Sequence, residues 1–98
     1  MKNLILIVAL FAVSFNASAK EIEACEFVSE TAELFMDLRQ KGVSLKKMLS
    51  IKHTDRMEVL IMKAWKVDVY QSKEYQQKAI NKFRDDMHML CLEKTKQD

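Results

Sequence analysis

The chain has 98 residues, with 16 Lys and Arg against 14 Asp and Glu, two cysteines, one glycine and no proline. A net charge of +2 gives no electrostatic case for nucleic-acid binding. The length allows one small domain and excludes anything needing a second core.

The first nineteen residues have the three-part layout of a secretory signal peptide. Lys2 supplies the positive start, Leu4 through Val13 form an unbroken apolar run, and Ala17-Ser18-Ala19 is the small-x-small pattern a signal peptidase accepts. The run is shorter than the roughly 20 apolar residues that span a bilayer. No cysteine follows the cleavage point to carry a lipid anchor. The expected division is a signal peptide over 1–19 and a single small helical domain over 20–98, with no stable membrane insertion after cleavage. A Leu/Ile/Val-rich run followed by Ala-x-Ala favours the periplasm of a Gram-negative bacterium, with an extracellular destination as the alternative.

A domain of this size gains only a few kcal/mol from its core and commonly carries a staple. Cys25 and Cys91 stand near the two ends of the mature chain, in a compartment where disulfides persist. A disulfide is the expected state. Two free thiols or a metal site are the alternatives, and the wide spacing without a nearby His pair speaks against metal.

Glu, Lys, Leu, Met, Gln and Ala dominate the mature sequence, and no stretch of period-two alternation is long enough for a strand. The fold class is therefore all-α, a small bundle of three to four helices. The first helix is expected from about Glu21 to Lys41, with Gly42 as its C′ residue. At about 100° per residue, Cys25, Val28, Ala32, Phe35 and Met36 share one side, and Phe27, Leu34 and Leu38 extend that arc sideways. Glu23, Glu26, Glu30, Glu33 and Asp37 fall in a stripe opposite. So wide an apolar arc needs more than one neighbour, which makes this helix the central element.

A short helix follows from Leu45 to about Lys52, with Ser44 as its N-cap. A third starts near Asp55, where Asp55 and Glu58 resemble a capping box, and runs to about Val67. Its buried side holds Met57, Leu60, Ile61 and Ala64, with Trp65 at the margin. Asp68 to Gln71 reads as a connection, and Ser72 caps a last helix over about Lys73 to Lys94. A Cys25–Cys91 bond would make the first and last helices antiparallel, in a register where Ala32 faces Phe83 and Met36 faces Ile80. The apolar stripes of the two helices match along that register.

Charge is unevenly spread. Residues 20–37 carry six acids and one Lys, residues 38–66 eight bases and two acids, and residues 67–98 balance. Helix ends matching their dipoles and neighbouring helices matching each other explain this most simply. A charged docking surface is the other reading.

No catalytic constellation is present. His53 and His88 have no second His or acid at ligand spacing, the serines have no motif around them, and a disulfide removes the only thiol nucleophiles. The acidic stripe is a solvated face or a recognition surface for a basic partner. The mature methionines fill a core or, less simply, bind copper through their thioethers. Arg39 points into the apolar arc, so it must snorkel or find a buried acceptor. It either bonds backbone carbonyls around Asp68 or contacts a ligand. The expectation is no enzyme, no metal and no cofactor.

Arg39-Gln40-Lys41-Gly42-Val43, with Cys25 before it and the Tyr75–Cys91 stretch after it, resembles a group of small secreted two-cysteine proteins from proteobacteria and their prophages. The resemblance implies an all-helical, disulfide-closed domain and supplies no catalytic residues. It adds weight to roles at the envelope, such as an inhibitor or a phage-related exclusion factor. The expected activity is binding of an envelope or periplasmic protein, with Arg39, Phe27, Leu34 and Leu38 as candidate contacts. An acid-stress-type holdase is the alternative, because protonating the acidic stripe leaves a cationic chain that loosens.

Overall fold

A computed structural model describes residues 2–97, and their side chains over residues 20–95. The side chains of residues 1–19, the segment expected to be a signal peptide, lie outside the described residues. Four helices follow one another: α1 (Lys2–Gln40), α2 (Leu45–Ser50), α3 (Asp55–Trp65) and α4 (Lys73–Gln97). No strand forms among the described residues. The helix expected to begin near Glu21 instead starts at Lys2, since no proline or glycine precedes Gly42 to interrupt it.

Each helix end has a readable cause. At the end of α1 the Gly42 N–H donates to the Arg39 carbonyl at 3.0 Å and the Val43 N–H to the Leu38 carbonyl at 3.1 Å. This paired pattern requires a left-handed residue at C′, and Gly42 supplies it with φ at 88°. Ser44 caps α2 by accepting from the Lys47 N–H at 3.1 Å. Ser72 does the same for α4 through the Tyr75 N–H at 3.2 Å.

The start of α3 differs from the capping box expected at Asp55 and Glu58. Thr54 is the N-cap, its hydroxyl accepting from the Met57 N–H at 3.2 Å. Met57 therefore occupies the third helical position where a capping box needs Glu or Gln. Glu58, one position further on, reaches His53 instead, at 3.7 Å.

α1 packs along α4 and α3, and α2 packs on α3. Cys25 and Cys91 form a disulfide with their Cα atoms 5.5 Å apart, joining α1 and α4. At the other end of the pair, Asp37 of α1 lies beside Gln77 and Ile80 of α4, so the two helices are antiparallel. Glu33 reaches Arg84 across them at 3.7 Å. A disulfide of this kind belongs to an oxidising compartment.

The core gathers Val28, Ala32, Phe35 and Met36 from α1, Met48 from α2, Leu60, Ile61 and Ala64 from α3, and Ile80 and Phe83 from α4. Fully burying a side chain such as Met36 or Ile61 stabilises by about 1.5–3 kcal/mol each. Met36 and Met48 are core-filling residues, whereas Met62 and Met89 are exposed. Among the described residues, no helix is long and apolar enough to cross a membrane.

Candidate functional site

Arg39 and Gln40 close the end of the bundle opposite the disulfide. The Arg39 Nε donates to the Val67 carbonyl at 3.0 Å, which is the backbone contact that its position in the apolar arc called for. Gln40 is the more deeply placed of the two, only 5% exposed. Its side-chain amide donates to the Asp68 carbonyl at 2.8 Å and accepts from the Tyr70 N–H at 2.9 Å. Trp65 anchors the opposite loop, its indole donating to the Val43 carbonyl at 3.0 Å. These contacts satisfy backbone groups of the two loops and leave Arg39 engaged within the fold. Gln40 gave no signal in the sequence, because its neighbours across the loop are about thirty positions away.

The three candidate contacts on the side of α1 separate. Phe27 is 66% exposed and Leu34 53% exposed. Leu38 is half-buried and packs against the core, beside Val43 in the turn that follows α1. Phe27 and Leu34 lie two turns apart on one side of α1 and share that side with Glu23, Glu30 and Asp37. A shallow groove of about 320 Å³ runs beside Leu34, between α1 and α4, and its lining includes Glu30, Glu33 and Asp37.

A larger and more apolar groove lies on another side of α1. Helices α3 and α4 both pack on α1 but make little backbone contact with each other, so a cleft remains between them. Its volume is about 500 Å³. Ala24 and Val28 of α1 form the floor, Val59 and Leu60 of α3 one wall, and Met87, Leu90 and Cys91 of α4 the other. The small side chains of the floor are what leave the space open. Val59 and Leu90 are half exposed to solvent there, although both are large apolar groups. Arg56, Lys63 and Lys94 stand in the lining as cations, with Glu21 and Asp55 as the acids. An apolar cleft of this size edged by a few charged groups has the anatomy of a binding site.

Electrostatics elsewhere is local. The Lys82 ammonium is held above its ordinary range by its hydrogen bond to Asp86, at 2.8 Å, and by that carboxylate's charge. The Arg84 guanidinium is pushed up by its hydrogen bond to Asp85, with Glu33 adding to the effect. Both side chains lie on solvated surface, where such pairs contribute little to stability. Among the described residues, no three His, Cys, Asp or Glu side chains converge as a metal site.

The groove was not legible in the sequence. Val59 and Leu90 have no periodic signal that separates a wall facing an empty cleft from one facing a neighbour. Comparisons with known proteins add no relative: no family model, no curated protein and no solved structure matches the chain.

Proposed function

We propose that this is a small periplasmic protein, cleaved after Ala19, that works by binding another envelope protein in the groove between α3 and α4. The groove carries the reading: it is an apolar concavity of about 500 Å³ whose floor on α1 and wall on α4 are tied at one end by the disulfide, with α3 packed on α1 as the other wall. Tethered helices present a preformed surface and reduce the ordering cost of binding. An exposed apolar group of the partner fills the cleft, and its acidic flank meets Arg56, Lys63 and Lys94. Roles as an envelope-associated inhibitor or a phage-related exclusion factor follow from such stoichiometric capture, and kinship with small secreted two-cysteine proteins of proteobacteria fits the same setting.

The test is capture from a periplasmic extract at neutral pH by the wild-type protein and by an Ala24→Leu variant. Ala24 is exposed on the groove floor, so the added side chain fills the cleft without entering the core. One stoichiometric partner held by the wild type and lost by Ala24→Leu supports the reading. Equal capture by both proteins moves the binding surface elsewhere. Many partners held only at low pH favour the holdase.

A further inference from the structure

Two oppositely charged surfaces of this molecule leave their charges unmatched. Glu23, Glu26 and Glu30 of α1 make no ion pair among the described residues, and neither do Arg56, Lys63 and Lys94 around the groove. The pairs that do form among the described residues are mostly between near neighbours in sequence, and of these only Glu33–Arg84 crosses from one helix to another. Thus, apart from Asp37–Lys41 at the end of α1, no ion pair among the described residues joins the acidic segment 20–37 to the basic segment 38–66, although α1 packs directly on α3.

The acidic surface also carries an apolar knob. Phe27, at 66%, is the most exposed large hydrophobic side chain among the described residues, and Glu23, Glu26 and Glu30 surround it within one turn. The groove has the complementary character, apolar within and net positive at its rim. Asp55 and Glu21 also line it, so three cations face two acids there.

Stepping about 100° per residue, the knob and its carboxylates centre roughly 130° around α1 from the Ala24–Val28 floor. One copy therefore cannot bring its own knob into its own groove.

We infer that a second copy of this chain occupies the groove, with Phe27 of one molecule seated between α3 and α4 of the next and its flanking glutamates meeting Arg56, Lys63 and Lys94. Because knob and socket are different surfaces, the contact is head-to-tail. It rests on the groove being the binding surface, and it makes self-association the resting state against which an outside partner competes. A contact built on one aromatic anchor and rim charges is weak and sensitive to salt.

Sedimentation velocity on the disulfide-bonded protein, up to about 1 mM, tests this. The wild type is expected to grow beyond a monomer with concentration at low salt and to revert at about 0.5 M salt. Phe27→Ala removes the knob and Ala24→Leu fills the socket. Each position is exposed, and Val59→Glu on the groove wall is a second socket variant whose new carboxylate repels the acidic knob. Each variant alone should weaken association at least about tenfold.

Mixing the knob variant with either socket variant should restore a contact of wild-type affinity that stops at the heterodimer. A wild type that stays monomeric throughout overturns the inference. So does association that survives both substitutions, or a mixture that fails to form the heterodimer. Phe27→Ala keeps its groove intact, so its capture of an outside partner reports on the groove separately from self-association.

Discussion

Gln40 and Tyr70 stand 30 positions apart, yet the side-chain oxygen of one accepts the backbone N–H of the other at 2.9 Å. The same amide donates to the Asp68 carbonyl, so a single buried side chain satisfies two backbone groups of the loop between α3 and α4. That loop sets where α4 begins, and hence the register in which α4 returns along α1. Replacing Gln40 by Leu should lower stability by about 2 kcal/mol, the cost of two lost bonds to otherwise unsatisfied groups. Arg39→Ala, which removes one partly buried bond, should cost about 1 kcal/mol. Urea denaturation of the two variants gives the order, and amide exchange should quicken first at Asp68 to Tyr70 in Gln40→Leu.

The disulfide closes a loop with a sequence separation of 66 residues. Loop entropy alone assigns roughly 4 kcal/mol to a closure of this length. Cys25→Ser with Cys91→Ser should therefore cost about 2–5 kcal/mol in a urea titration. Peptide maps with and without reductant should differ by one linked pair. Two alkylatable thiols in protein isolated without reductant would show that the native chain does not carry the bond.

Leu34 and Leu38 are one turn apart and should respond in opposite ways. Leu34 is 53% exposed, so Leu34→Asp should leave a folded protein with stability changed by about 0.5 kcal/mol or less. Leu38 packs against the core beside the α1 terminus, and Leu38→Ala should cost about 2 kcal/mol. Equal losses at both positions would mean that α1 is more fully covered at Leu34 than in this packing.

Gly42→Ala should destabilise by about 1–2 kcal/mol, although a Cβ there meets nothing within 4 Å. The loss comes from the positive φ and not from a clash, so Gly42→Asn should recover part of it. At the start of α3, Thr54→Ala should cost about 1 kcal/mol by removing the cap. Asp55→Ala should cost less than half of that, because Asp55 contributes only through the helix dipole. Thermal melts of the four variants would separate backbone strain from cap loss.

Local rules account for most of what the sequence carries. Gly42, Ser44 and Ser72 mark helix ends because capping depends on residues within one turn of each other. The same rules misplace the cap of α3 by one residue, since Thr54 and Asp55 are both good cap residues and only the backbone geometry chooses between them. Spacing of apolar residues found the core of α1 and α4, because a 3.6-residue repeat is a property of the chain and not of its neighbours. The antiparallel pairing was legible as well, once one cysteine near each end allowed a single intramolecular bond.

The sequence by itself thus determined an all-helical chain, its helix ends within a few residues except the start of α1, and the pairing of the first helix with the last. Tertiary structure alone decided which parts of a wide apolar arc are covered: Leu38 goes inward, Phe27 and Leu34 stay in solvent, and Val59 and Leu90 face an open cleft. The physical reason is that burial depends on where a second helix axis falls across the first, and no residue's own periodicity records that. Gln40 and Arg39 make the same point in polar form, since the carbonyls they bond lie 28 positions away and become neighbours only when the loop closes.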